Sequence, residues 1–323
     1  MLRKISTLLL STLVAGVIIV FLLSRVWDEL LTTLHEADPR YLLAATLICL
    51  LAWYMRGVRY RYILMRLSVC VSTIFSTACI FVSQTANLII PARLGDLIRL
   101  LILRHEKETT YTVGFSSLIV ERVFDIITIA LIGAIALPFV VGQTPWFSLL
   151  IGLVLIAGLL FFLVLFISGR FTSENRILAK IFEIMTQIRL VSLTPPALVY
   201  LLFSSVIIWI IDCLVCVMVA MMFGETVPIM VIVLAIVIGN LVKAVPITPG
   251  GIGTYELALA MTFELAGVAP GIAVLIAIVD HLIKNLVTLG GGALSVYYFG
   301  DWTLSLLKRA FSGDIRGELR DRD

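Results

Sequence analysis

Two groups of ionisable residues stand inside apolar runs of this chain: Glu121, Arg122 and Asp125 in 112–141, and Asp280, His281 and Lys284 in 271–298. A charge at mid-membrane costs on the order of 2.5–3.5 kcal/mol on insertion scales, so such residues face a bundle interior or a cavity, where they pair or bind something. Asp280 and Lys284 lie one helical turn apart in the acid-first order that favours pairing, about 14 and 20 Å along their helix from Gly271. They serve either as a scaffold pair, or as a pair that is neutral at rest and offers Lys284 to an anionic group. Asp125 falls nearer one edge of the hydrocarbon, and Glu121 is compatible with a solvated interfacial place. Asp212 sits in mid-run with no obvious partner.

About thirty residues ahead of each group the chain has a break. One is Pro91-Ala-Arg-Leu-Gly95-Asp96; the other is Ile247-Thr-Pro-Gly-Gly-Ile-Gly-Thr-Tyr-Glu256. Pro249 cannot donate a backbone hydrogen bond, Gly250, Gly251 and Gly253 permit positive φ, and Thr254 is able to cap a new helix. Backbone that leaves a helix at membrane depth persists only where protein or a water-filled cavity covers it. The two breaks share Pro-x-x-x-Gly at a separation of 158 residues, and Glu121 with Asp280, like Asp125 with Lys284, are 159 apart. Paired breaks in corresponding positions of two halves point to a transporter-like binding site. A helix starting after each break aims free amides and a positive dipole into the cavity, where a phosphate oxygen is welcome. Arg93, Arg99 and Lys243 add full charges. Glu256, in the first turn after Gly253, either fills that positive end itself or meets substrate.

The elements that must position these groups are set by composition. With 61% hydrophobic residues, 14% charged and a mean hydropathy of +1.11 over 323 residues, the chain is a polytopic membrane protein. Its polar stretches are too short for a catalytic domain. The net charge of +3 gathers beside apolar runs, which speaks of topology and excludes nucleic acid as a partner. Cys49, Cys70, Cys79, Cys213 and Cys216 lie in or beside apolar runs, so Cys213-x-x-Cys216 reads as buried thiols rather than a redox or zinc pair. His35, His105 and His281 are scattered, and neither a metal site nor a cofactor is expected.

In chain order, Arg3 and Lys4 precede an uncleaved first span, 5–24, longer than a signal-peptide core. An acidic loop, 25–40, leads to a second span, 41–58, that ends in Arg56, Arg59, Arg61 and Arg66. These mark the cytoplasmic side and place the N-terminus inside. A re-entrant hairpin follows (69–103), then spans 112–141 and 147–167, with the turn at 142–146 between them. The stretch 169–196, with isoleucines at helical spacing, reads as an amphipathic cytoplasmic helix. Span 197–222, a second hairpin (228–266), span 271–298 and a short cytoplasmic tail (301–323) complete the chain. The expected fold is all-α and polytopic: about six transmembrane helices plus two re-entrant helical hairpins in inverted repeats, 1–141 and 147–298.

Pro91-Ala-Arg-Leu-Gly-Asp-Leu-Ile-Arg99, Glu121-Arg-Val-Phe-Asp125 and Pro246-Ile-Thr-Pro-Gly-Gly-Ile-Gly-Thr-Tyr-Glu256 resemble, in order, motifs of the flippase-like transmembrane domain of lysylphosphatidylglycerol synthases. The likeness covers nearly the whole chain. It implies lipid handling and, with about twenty residues after the last span, a stand-alone member without the aminoacyl-transferring domain; other members are linked to polyprenyl-phosphate sugar carriers.

The expected activity is therefore movement of an anionic phospholipid or polyprenyl-phosphate-linked lipid across a prokaryotic plasma membrane, with both termini cytoplasmic and no enzymatic step. Homo-oligomerisation is left open. The substrate site is drawn around Arg93, Gly95, Asp96, Arg99, Glu121, Arg122, Asp125, Lys243, Pro249, Gly250, Gly251, Gly253, Glu256, Asp280, His281 and Lys284. One rival is a membrane-embedded lipid-modifying enzyme or accessory subunit, yet no Gly-x-Ser-x-Gly or His-Glu-x-x-His stands in the chain. The other is a proton- or ion-coupled small-solute transporter using Asp280, His281 and Lys284.

Overall fold

A computed structural model describes residues 2–25, 27, 37–90, 94–140, 145–168, 175–245 and 247–312. Pro91, Arg93, His35, Pro246, most of the acidic loop, the turn at 142–144, the start of the 169–196 stretch and the tail beyond Ser312 lie outside these residues. The described residues form the helices α1 (Leu2–Ser24), α2 (Pro39–Arg66), α3 (Thr73–Ile89), α4 (Gly95–Lys107), α5 (Tyr111–Ala136) and α6 (Pro145–Ser168). There follow α7 (Arg176–Ser192), α8 (Pro195–Met222), α9 (Ile229–Ala244), α10 (Thr254–Leu265), α11 (Pro270–Phe299) and α12 (Asp301–Ser312). No strand occurs among them. The protein is an all-α polytopic membrane protein.

Local chemistry sets the helix limits. The Asp38 carboxylate accepts from Arg40 N at 2.9 Å, and the Ser72 and Thr110 hydroxyls accept from Phe75 N and Val113 N. Each takes up an amide that has no partner inside its own helix. Proline opens α2, α6, α8 and α11, where its missing donor costs nothing. Pro138 ends α5 early, and the expected span 112–141 closes as a short 3₁₀ turn, Leu137–Phe139.

Among the described residues, four helices are long and apolar enough to cross a membrane: α2, α6, α8 and α11. This is fewer than the six expected. α5 has the length, at 26 residues, but carries Glu121, Arg122 and Asp125 at its centre; the apolar part of α1, Thr12–Ser24, is short. α6 turns leucines outward along its length, with Leu159 72% exposed, as a lipid-facing helix does. The expected short tail, 301–323, begins with a helix, α12. α7 has two faces: Ile177 is exposed, and Ile188 is buried against α5 and α8.

Polar tethers sort into two ends of the bundle. At one, Arg25 meets Glu264 at 3.1 Å and Asp38 N donates to Met222 O at 3.0 Å. At the other, Arg66 donates to Leu190 O and Thr194 Oγ1, Thr112 donates to Glu183, and His105 stacks on Trp302.

α3 runs between α2 and α11, and both neighbours come close through glycine. A Cβ on Gly57 would overlap Thr77, one on Gly291 would overlap Phe81, and one on Gly292 would overlap Thr85, whose hydroxyl donates to Thr288 O at 2.9 Å. Small residues let membrane helices approach and exchange such bonds. Gly292→Leu should therefore lower the thermal unfolding temperature of the detergent-solubilised protein, by the roughly 1–3 kcal/mol that overpacking costs. Gly290→Leu, where a Cβ meets nothing within 4 Å, should unfold with the wild type; equal losses in the two variants would refute this packing.

Candidate functional site

The second break is held by three glycines in the left-handed region: Gly250 (φ 62), Gly251 (φ 78) and Gly253 (φ 84). Pro249–Gly251 forms a 3₁₀ turn, and α10 starts afresh at Thr254. The expected cap is corrected here. Gly253 occupies the cap position and its N–H donates to Glu256 Oε2 at 2.7 Å, while Thr254 Oγ1 donates back to Gly251 O at 3.1 Å. The positive end of α10 is thus already filled by Glu256, so it is not open to a phosphate. Asp96 occupies the same place in the first turn of α4. Its carboxylate accepts from Ser83, Gln84, Asn87 and Arg122, with Asn87 Nδ2 at 2.9 Å and Arg122 Nη2 at 3.0 Å.

The glycine turn packs against the end of α3. A Cβ on Gly250 would press on Leu88, at the end of α3, and one on Gly251 would press on the Lys243 stem. Beside this contact lies a cavity of about 190 Å³, walled by α2, α3, α5, α8, α9, the glycine turn and α11. With a water's share of liquid volume near 30 Å³, it has room for a phosphate-sized group and a little water.

Of the expected site residues, Glu121, Arg122, Asp125, Lys243, Gly250, Gly251 and Lys284 line this cavity. Gly95, Asp96, Pro249, Gly253, Glu256, Asp280 and His281 do not line it, and Arg93 lies outside the described residues. Arg99 is corrected: it is fully buried, bonded to Glu121 at 2.9 Å with its guanidinium over the Tyr60 ring, and does not line the cavity.

Every lining cation has a partner. Lys284 Nζ donates to Asp280 Oδ2 at 2.9 Å, and the same oxygen accepts from Tyr255 Oη at 2.8 Å. Lys243 Nζ stands 3.0 Å from His281 Nε2, and His281 Nδ1 is 2.8 Å from Glu256 Oε1. Arg122 is held by Asp96. Arg56 is bidentate to Asp212 and lies over both Trp53 and Trp209. The positive-inside reading of Arg56 and Arg59 is therefore wrong for these two: Arg59 is 1% exposed and bonded to Asp125 at 2.6 Å and to Ser205 at 2.7 Å. Arg61 and Arg66 remain exposed at the helix end.

Residues at one constant sequence separation line the cavity in pairs. Trp53 with Trp209, Arg56 with Asp212, Gln84 with Asn240, and Asn87 with Lys243 are each 156 residues apart, and all eight line it. α2 and α8 share that separation and are both 28 residues long.

The model of the lysylphosphatidylglycerol synthase TM region matches residues 8–292. The chain belongs to this family. It is similar to Glycosyltransferase AglD of Haloferax volcanii, 31% identical over 88% of this chain and 54% of that protein. The chain thus spans about half the length of that relative. A UPF0104 membrane protein of Methanothermobacter thermautotrophicus is 23% identical over 84% of this chain and 89% of its own. Another, from Methanocaldococcus jannaschii, is 26% identical over 65% and 92%. No solved structure gives a significant match.

In this lysylphosphatidylglycerol synthase TM family member, motif spacing located the glycine turn and missed the part played by α2 and α8. Trp53, Arg56, Trp209 and Asp212 stand outside every motif, yet the constant separation of 156 residues was a signal that pairs them. Trp209 Nε1 is buried in the cavity wall without a hydrogen-bond partner among the described residues, a donor for a ligand or water.

Asp212→Asn leaves the Arg56 charge unmatched. The variant should lose about 3–5 kcal/mol, the cost of breaking a buried pair, and Asp212→Asn with Arg56→Gln should regain most of it. Unfolding temperatures in detergent for both singles and the double decide; three equal losses would show that the pair is not coupled.

Proposed function

We propose that this chain is a lipid translocase that holds an anionic, phosphate-bearing headgroup in the central cavity while the tails remain in lipid, without a chemical step. The observation that carries this reading is the polarity of the wall. Arg122, Arg56 and Lys284 keep 28%, 17% and 16% of their side chains exposed, against 13%, 10% and 5% for Asp125, Asp212 and Glu121 and none for Asp280. Asp96 and Asp280, which neutralise Arg122 and Lys284, do not line the cavity, whereas Glu121, Asp125 and Asp212 do, so its wall carries four cations, Arg56, Arg122, Lys243 and Lys284, against three carboxylates. A phosphate entering it accepts from cations whose rear partners keep them desolvated and oriented, which suits charge-assisted recognition.

The matched separations and the contact of the glycine turn with the end of α3 support an inverted-repeat reading, with six spans, two re-entrant hairpins and the headgroup site on the pseudo-two-fold axis. The exposed Arg61 and Arg66 at one end, with α7 and α12, support cytoplasmic termini in a cell membrane. A second reading follows from the relative named a glycosyltransferase: the chain holds a lipid carrier for glycosyl transfer. Incubation with polyprenyl phosphate and a nucleotide sugar would then yield a lipid-linked sugar.

In reconstituted vesicles the wild type should move fluorescent phosphatidylglycerol faster than phosphatidylcholine. Equal rates, or none, would overturn the translocase reading. Asp280→Asn should lower yield, because it leaves Lys284 unmatched at about 2.5–3.5 kcal/mol. Asp280→Asn with Lys284→Gln should restore yield while lipid movement stays lost. A fully active double variant would return the pair to scaffold.

A further inference from the structure

The two halves build corresponding clusters that differ in two side chains. In the first, the hairpin carboxylate Asp96 is held by Arg122 of α5 and by Asn87 of α3. In the second, the hairpin carboxylate Glu256 is held by His281 of α11, and Lys243 of α9 reaches His281. Asn87 and Lys243 are 156 residues apart, Arg122 and His281 are 159, and Asp96 and Glu256 are 160. Where the first half has a permanent cation, the second has a side chain that gains or loses a proton. Where the first half has a neutral amide, the second has an ammonium.

The geometry fixes where the protons are. A lysine ammonium only donates, so His281 Nε2, 3.0 Å from Lys243 Nζ, accepts, and the imidazole proton is on Nδ1, donated to Glu256 at 2.8 Å. His281 is neutral in this arrangement and wholly buried. Lys243 lines the cavity, and His281 stands behind it. When a phosphate draws the ammonium forward, Nε2 loses its donor and an anion has entered beside it. A proton added at Nε2 then makes an imidazolium bonded to the Glu256 carboxylate, which is the Arg122–Asp96 arrangement already present in the other half. Glu256 also holds Gly253 N–H at 2.7 Å, so the cluster is tied to the hairpin tip.

We propose that His281 is a proton-binding site linked to occupancy of the cavity, so that one proton accompanies each anionic headgroup. This rests on the lipid reading of the cavity. The proton comes from water on the side to which the cavity is open and binds the Nε2 lone pair. Lys243 keeps its own protons throughout. When the headgroup leaves, Lys243 returns to Nε2 and the proton is released. The groups facing His281 are Lys243 from α9, Glu256 and Tyr255 from α10, and Asp280 and Lys284 on its own helix. The other helices packed on α11 bring Arg56 and Cys49 from α2, Asp212, Cys213 and Cys216 from α8, and Cys79 from α3. Tyr255 and Lys284 both bond Asp280 Oδ2 and Arg56 bonds Asp212, while Asp280 Oδ1 has no hydrogen-bond partner among the described residues whether the cavity is filled or not; the imidazole nitrogen is the acceptor that binding uncovers.

The test uses the full chain in detergent with short-chain phosphatidylglycerol as probe. Calorimetric binding at pH 7 in two buffers of different ionisation enthalpy gives protons taken up per lipid bound. The wild type should take up close to one, and His281→Gln close to none per lipid bound. In vesicles with the membrane potential held at zero, a one-unit pH difference should sustain about a tenfold lipid asymmetry, lost in His281→Gln. Binding without proton uptake by the wild type overturns the coupling and leaves the lipid reading standing, whereas no binding by the wild type refutes both. Full proton uptake by His281→Gln places the proton elsewhere and also overturns the proposal. The wild-type measurement decides even where the variant does not fold.

Discussion

Charge matching in a low-dielectric interior governs this structure. Around the cavity, Arg56, Arg59, Arg99, Arg122, Lys243 and Lys284 stand against Asp96, Glu121, Asp125, Asp212, Glu256 and Asp280, and neutral His281 links Lys243 to Glu256. An isolated charge here would be expelled or neutralised, and a pair repays its desolvation only with good geometry and further hydrogen bonds. Those bonds come from Tyr255, Ser205, Asn87 and Ser83. The helices are placed so that each carboxylate finds its base. The glycines at 57, 291 and 292 that let α3 lie close to α2 and α11 serve the same end.

Much of this was legible in residues. Asp280 and Lys284 announced their pairing by being one turn apart, a local rule that needs no tertiary knowledge. The glycine turn declared positive φ, because three glycines after a proline have little other use, and all three are found there. Arg56 and Asp212 were not legible in the same way. Their contact spans 156 residues, and a basic cluster at a helix end is the usual signature of a cytoplasmic boundary, so topology claimed Arg56 before pairing could. Arg99 looked like a headgroup ligand for a related reason: position after a break does not say which way a side chain points. It points into the protein, onto Glu121 and Tyr60. The dipole argument for the second hairpin failed at Glu256, three residues beyond the cap, where a carboxylate already takes the free amide.

The asymmetry between the halves is as informative as their likeness. Trp53 and Trp209 are equivalent and flank one guanidinium, Arg56, whose equivalent is its own partner Asp212. Like charges at those two positions would face each other across the cavity in a medium that screens poorly. One basic and one acidic residue turn that repulsion into a bond between the halves.

Which bonds cross between the halves sets the low-cost route for motion. Asp96 with Arg122, Glu121 with Arg99 and Asp125 with Arg59 lie within the first half. Asp280 with Lys284 and Glu256 with His281 lie within the second. Between halves the bonds include Arg56 with Asp212 and Arg59 with Ser205, Thr85 with Thr288 O, Arg25 with Glu264 and Asp38 N with Met222 O at one end, and Arg66 with Leu190 O and Thr194, Thr112 with Glu183 and Ser116 with Gln187 at the other, besides the approach of Gly250 to Leu88. Moving one half against the other as a rigid body would keep four buried ion pairs and the Glu256–His281 bond intact and strain one buried pair. Moving α2, α4 or α5 alone out of its half would strand at least one charge, at a cost of about 3–5 kcal/mol for each broken pair. On the proposed lipid reading, a headgroup phosphate that took over the Arg56 guanidinium from Asp212 would lower the cost of the one crossing buried pair. Occupancy of the cavity and relative motion of the halves would then be linked through that pair.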